Sequence, residues 1–166
     1  LSDRERGALQ RDRATALDDM ARFAEAGVTT FDCADIYTGV EELIGQFLRA
    51  RRSGPAIQVH TKYVPDLDTL TSLTRAQVDA AIDRSLARLG VDRLDLVQFH
   101  WWDYAVPRYV EVAGWLEDCR RAGKVANLGV TNFDTPRLRE LIEAGIPIVS
   151  HQVQYSVLDR RAAAAM

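Results

Sequence analysis

Five times along this chain a stretch with apolar residues at helical spacing runs into a glycine, and each glycine precedes a short apolar run. The helical stretches are marked by Leu17, Met20, Ala21 and Ala24; by Val40, Leu43, Ile44, Phe47 and Leu48; by Val78, Ile82, Leu86 and Leu89; by Val112, Trp115, Leu116 and Cys119; and by Leu138, Leu141 and Ile142. Residues three and four apart share one face of an α-helix, so each stretch predicts an amphipathic helix. Gly27, Gly54, Gly90, Gly123 and Gly145 stand where a left-handed C-terminal cap would end each one. Two starts are marked as well: Thr74 and Gln77 have capping-box spacing, and Pro136, after Asp134 and Thr135, suits the first helical position. The runs VTTFDC, IQVHTK, LDLVQFH, VANLGVT and IPIVSHQVQY read as strands buried on both faces. Helix and strand alternating with a period near ~30 residues predicts an α/β fold of βα units around a parallel sheet. With 166 residues, 47% of them hydrophobic, a single domain over residues 1–166 is expected.

Each strand begins apolar and ends polar. The exits carry Asp32 and then Tyr37; His60 and Lys62; His100; Thr131 and Asn132; and Gln152 and Gln154. Parallel α/β folds bind ligands beyond the carboxyl ends of their strands, and barrels of this kind draw catalytic groups from several strand ends at once. Asp32 and Tyr37 therefore stand where Lys62, His100 and Asn132 can join them.

Composition excludes some classes of function. The net charge of −3 and the lack of a basic block beyond Arg49, Arg51 and Arg52 argue against sequence-independent nucleic-acid binding. No stretch approaches the roughly 18 apolar residues of a membrane span, and the N-terminal Leu-Ser-Asp-Arg-Glu-Arg lacks the apolar region of a secretory signal. Two cysteines, Cys33 and Cys119, suit a reducing compartment, so a soluble cytoplasmic protein is expected. The chain starts without Met and ends in RRAAAAM, and both ends are expected to be cut.

The segments FDCADIY, VHTK, LDLVQFHWW, GVTNF and HQVQYSVLDRR, in this order and at these separations, resemble the aldo-keto reductase superfamily from about residue 14 to residue 161. The resemblance implies a (β/α)8 barrel of the TIM type, here incomplete at about five βα units, with the first strand before residue 1 and the seventh and eighth after Met166. It also implies reduction of a small-molecule carbonyl by a nicotinamide cofactor, NADPH by family habit, without a metal. The catalytic tetrad would be Asp32, Tyr37, Lys62 and His100, and the nicotinamide carboxamide would be held by Thr131, Asn132 and Gln152. No residue of the chain is assignable to the adenosine 2′-phosphate. The sequence departs from the family pattern at YTGVEE and at His151 before Gln152.

These residue types suit the chemistry. Hydride transfer to a carbonyl builds negative charge on oxygen, which calls for a proton donor beside it. A free phenol titrates near pH ~10, too weak an acid unless a cation is close. Lys62 would supply that charge, Asp32 would hold Lys62, and an opposite charge within about 4 to 6 Å moves a pKa by one to three units. His100 would donate to the substrate oxygen and orient it.

Other readings compete. Singly, Asp32 reads as a turn cap, Lys62 as a solvated strand-end lysine and Tyr37 as a helix-covering aromatic; as a set, the catalytic reading is favoured. His60, on the Lys62 face but deeper, reads as a barrel-interior residue; His151 reads as a packing histidine, and Cys33 as a buried small hydrophobe. Trp101, Trp102 and Tyr104 are candidate pocket walls. The three histidines with Asp32 would suit a metal-dependent barrel hydrolase, although Lys62 puts a cation on the His60 face. A non-catalytic barrel that binds a nucleotide or a partner is the remaining alternative. Five parallel strands would also leave two open edges, through which self-association is expected.

Overall fold

The computed structural model describes residues 13–51 and 53–165; the readings of the N-terminal hexapeptide and of Arg52 lie outside the described residues. Helix α1 (Arg13–Glu25) leads into β1 (Thr30–Asp32), then α2 (Val40–Ala50), β2 (Gln58–Tyr63), a 3-10 turn (Leu67–Thr69), α3 (Arg75–Leu89), β3 (Leu94–His100), α4 (Tyr109–Arg121), β4 (Val125–Thr131), α5 (Thr135–Glu143), β5 (Ile148–Gln152) and α6 (Arg161–Ala165). The strands form one parallel sheet in the order β1-β2-β3-β4-β5. Strand order that follows chain order, with helical crossovers of one hand, winds the sheet in a single direction, as in a barrel.

The helices end as their glycines require. After α1, α3, α4 and α5 the residue beyond the glycine sends its N–H back to a carbonyl in the last turn: Val28 to Phe23, Val91 to Leu86, Lys124 to Cys119, and Ile146 to Leu141. That closure needs a left-handed residue, and Gly90 supplies it with φ 68°. Gly54 does not belong to this set, because α2 stops at Ala50 with an extended Arg51. Thr74 and Gln77 form the capping box of α3, with Thr74 N–H donating to Gln77 Oε1 at 2.8 Å. Asp134 caps α5 by accepting from Arg137 N at 2.9 Å, so that Thr135 opens the helix and Pro136 is its second residue.

Alternation along the strands gives the sheet two different faces. Val59, Val97, Phe99, Leu128 and Val130 pack against Ile44, Val78, Ile82, Val112, Leu116 and Leu141 of the helices, and this layer is the core. Burial at roughly 1.5–3 kcal/mol per large apolar side chain makes it the main source of stability. The opposite face is the concave one, and register aligns Asp32 with His60, His60 with Leu96, Lys62 with Gln98, Gln98 with Gly129, His100 with Thr131, and Thr131 with Gln152. The expectation that all five strands are buried on both faces fails at the ends of the sheet. β1 and β5 are short and partly exposed, because each has a neighbouring strand on one side among the described residues.

One charge in the helix layer bears on the site. Glu41 of α2 is buried, and its carboxylate accepts from Thr61 Oγ1 at 2.7 Å and from Arg88 Nη1 at 3.2 Å. Arg88 also donates to the Asp35 carbonyl at 2.9 Å, which ties the turn after β1 to α3. A buried carboxylate is tolerable only when compensated in this way.

Candidate active site

The polar band at the carboxyl edge of the sheet has Lys62 at its centre. Its ammonium donates to Asp32 Oδ2 at 2.5 Å and to the Cys33 carbonyl at 2.9 Å, and its side chain is 8% exposed. Two of three ammonium protons are thereby placed, and among the described residues the third has no hydrogen-bond partner. Asp32 is 43% exposed, and its other oxygen accepts from Gln98 Nε2 at 3.0 Å.

Tyr37 stands in the turn that follows β1. Two backbone bonds and one to a side chain shape the turn: Asp35 N–H donates to Lys62 O at 3.1 Å, Tyr37 N–H to Ala34 O, and Val64 N–H to the Asp35 carboxylate Oδ1 at 3.2 Å. The Tyr37 side chain is 40% exposed, and its hydroxyl makes no hydrogen bond to a described residue. Burial pushes the Asp35 carboxyl up from 3.8 to about 7, against the pull of the Val64 N–H, with Glu41 raising it further.

His100 ends β3. Its Nδ1 lies 3.3 Å from the Thr131 carbonyl, which can only accept, so Nδ1 carries the proton. Nε2 is buried without a partner among the described residues, and burial holds the imidazole below its ordinary pKa. Trp102 meets His100 edge to face at 4.4 Å and fixes its own indole by donating to the Pro65 carbonyl at 2.8 Å. Ile36, Val64, Pro65, Leu67 and Trp102, with Asp66, line a largely apolar cavity of about 230 Å³ beside Trp102.

Thr131, Asn132 and Gln152 meet at the ends of β4 and β5. Asn132 takes a left-handed φ of 57°, which asparagine tolerates better than most residues, and its N–H donates to Gln152 O at 2.8 Å. Its Oδ1 accepts from Gln154 N, leaving the Nδ2 protons without a partner among the described residues, and Thr131 Oγ1 is buried in the same condition.

The structure thus brings Asp32 to Lys62, His100 to Thr131, and Asn132 to Gln152, while Tyr37 hydrogen-bonds to none of them. Of the three aromatic residues taken as pocket walls, Trp102 alone lines this cavity. Trp101 is buried against Phe99, its indole held by the Asp103 and Val106 carbonyls, and Tyr104 packs on Tyr109 and Phe133. His60 is half-buried on the concave face, whereas His151 pairs with Val130 in the ladder and so turns toward the helices. Among the described residues no group of three or more His, Cys, Asp or Glu could hold a metal ion, and no helix is long and apolar enough to cross a membrane. Gln98 escaped the sequence reading, although its place two residues before His100 puts it on the same face by the period-two rule.

Comparison with known proteins agrees with the fold. The model of the Aldo/keto reductase family matches residues 4–166. Aldo-keto reductase YhdN of Bacillus subtilis is 27% identical over 154 residues, covering 90% of this chain and 46% of the relative. The NADH-specific methylglyoxal reductase of Escherichia coli is 27% identical over 169 residues, covering 90% of this chain and 50% of its own length. The crystal structure of a thermostable aldo-keto reductase with the inhibitor epalrestat superposes with a TM-score of 0.80 at 28% identity, over 94% of this chain and 56% of that one. The chain spans about half the length of the relatives it matches. Its sheet is the corresponding half of a (β/α)8 barrel, and the chain belongs to the aldo/keto reductase family.

Proposed function

We propose that this chain carries the catalytic half of a reductase that converts the carbonyl of a small aldehyde or ketone to an alcohol, with Tyr37 as the proton donor. The observation that carries the reading is Lys62: a lysine 8% exposed, held by Asp32 and the Cys33 carbonyl with one proton to spare, at the same edge of the sheet as the turn that carries Tyr37, whose hydroxyl is free of hydrogen bonds to the described residues. A buried ammonium costs stability, and its use here is to stabilise the phenolate left when Tyr37 gives its proton to the substrate oxygen. When bound, the reduced nicotinamide supplies the hydride. A neutral His100 with its proton on Nδ1 presents a lone pair at Nε2; in this form it accepts from the alcohol hydroxyl, and only the imidazolium can donate to the carbonyl.

The residues fit the nicotinamide end of the cofactor. Thr131 Oγ1 is buried and without a partner among the described residues, and with the Asn132 amide and the Gln152 side chain it offers the donors and acceptors that a carboxamide needs. NADPH remains the proposed cofactor, although the relative from Escherichia coli is named NADH-specific, so family membership does not decide the preference. We assign the protein to the cytoplasm, supported by Cys33 and Cys119, both free thiols. The second reading is a barrel half that binds a nucleotide or partner without turnover, and the absence of a hydrogen bond between the Tyr37 hydroxyl and any described residue favours it.

The test is Tyr37→Phe in a form of the protein that turns over NADPH and an aldehyde. Loss of a general acid lowers kcat by roughly 10²- to 10⁴-fold. Nicotinamide binding stays near its starting value. Undiminished turnover would refute the assignment, and absence of turnover in any form, with nucleotide binding kept, would favour the second reading.

A further inference from the structure

We propose that Gln98 is a positioning residue, which holds the Asp32 carboxylate at the angle from which Asp32 holds Lys62; the inference rests on the tetrad reading above. Gln98 is 3% exposed and lies across the ladder from Lys62 on the concave face. From β3 it reaches past the strand of Lys62 to Asp32 on β1, where Nε2 donates to Oδ1 at 3.0 Å. The orientation of the amide is dictated by its partner: a carboxylate accepts only, and the opposite amide orientation would set Oε1 against Oδ1.

Both oxygens of Asp32 are therefore assigned, Oδ1 to Gln98 and Oδ2 to Lys62. Because Asp32 is 43% exposed, a carboxylate held by Lys62 alone could swing toward water and take the ammonium with it. The third ammonium proton would then lose its aim. Space for Gln98 is kept on its other side by Gly129, where an added Cβ would lie 3.3 Å from Gln98 Cγ and 2.2 Å from Ser150 Oγ. The ionisable groups on this face are Asp32, His60, Lys62 and His100.

The experiment uses the 166-residue chain and follows proton exchange at the Lys62 ammonium by ¹⁵N NMR, a readout independent of turnover. In Gln98→Leu, exchange with water accelerates at least about tenfold, the size expected for loss of a hydrogen bond to a charged group. Gln98→Met repeats the test should the leucine variant fold poorly. Gln98→Glu sets a second carboxylate beside Asp32: measured against the wild type at the same pH, exchange matches it at acid pH, where the protonated acid donates as the amide does, and becomes faster than wild type as that proton leaves. A residue with only a packing role gives no such dependence. In a form that reduces benzaldehyde with NADPH, Gln98→Leu lowers kcat about tenfold through misplaced geometry, with KM within about twofold. Exchange unchanged in the leucine and methionine variants overturns the inference. Full turnover in Tyr37→Phe would instead overturn the tetrad reading and leave the exchange result standing.

Discussion

Lys62 and Asp32 share one ion pair but sit in different surroundings, and the difference predicts unequal costs of breaking it. Lys62 is 8% exposed, so Asp32→Ala would strand a charge with little access to water; a buried unpaired charge costs roughly 3–5 kcal/mol, reduced here by the Cys33 carbonyl that remains. Lys62→Met instead leaves Asp32, 43% exposed, free to hydrate, and should cost about 1 kcal/mol or less. Urea unfolding of the two variants measures the order; equal losses would contradict it. Asp35 gives a pH effect of definite sign. Burial raises its carboxyl from 3.8 in the unfolded chain to about 7, so the folded state binds the proton more tightly. The resulting stabilisation is complete below about 3.8 and is lost as pH rises through about 7. Asp35→Asn keeps an acceptor for the Val64 N–H and should remove this decline from a plot of Tm against pH. The pairing of Asp32 with Lys62 was legible in the sequence because both stand at strand exits, whereas the inward turn of Gln98 needed the register of β3 against β2.

At the scale of elements, two glycines inside helices have opposite prospects. Gly45 of α2 faces the end of α3, and an added Cβ would meet Arg88 O at 2.4 Å and Leu89 O at 2.6 Å. These are backbone atoms that cannot rotate away, so Gly45→Ala should part α2 from α3 at a cost of about 1–3 kcal/mol. Gly114 of α4 has nothing within 4 Å of the same position, and Gly114→Ala should stabilise by about 0.5–1 kcal/mol through helix propensity. Thermal unfolding would show Tm moving in opposite directions. The longer helices were legible because a 3.6-residue period repeats over about three turns or more, and the nine residues of α5 were marked by Leu138, Leu141 and Ile142 together with the Asp134 cap. Edge strands were read too long: VTTFDC reduces to Thr30–Asp32 and IPIVSHQVQY to Ile148–Gln152, since apolar character extends beyond the residues that find a neighbour to pair with.

At the largest scale, the described residues form a five-stranded part of a barrel whose two outer strands each have a neighbour on one side. β5 carries exposed Val149, and just past it Tyr155, Val157 and Leu158 are exposed as well. Unpaired main-chain groups beside apolar side chains invite another copy, so the 166-residue chain should associate with rising concentration in sedimentation, and Val149→Lys should weaken that association. The same openness bears on the cofactor. The carboxamide end has Thr131, Asn132 and Gln152, but no residue here is assigned to the adenosine phosphate, and the isolated chain should bind NADPH poorly. Calorimetry that found a monodisperse monomer binding at about 1 μM or tighter would contradict this, and would mean that helix-surface residues supply the missing anchorage.

Period and punctuation in the sequence determined the succession of five helices and five strands and the polar exits of the strands, and the motifs at those exits carried the resemblance to the family. These are local properties: a helical stripe, a glycine cap and a strand's alternation are each set by residues within a few positions of one another. Only the tertiary structure decided how far the edge strands run, which of three neighbouring aromatics faces the site, that Tyr37 stands free of Lys62, and that Gln98 completes the hold on Asp32. Those outcomes depend on distances between residues of different βα units, up to 66 positions apart for Gln98 and Asp32, and the register that sets them is a property of the assembled sheet.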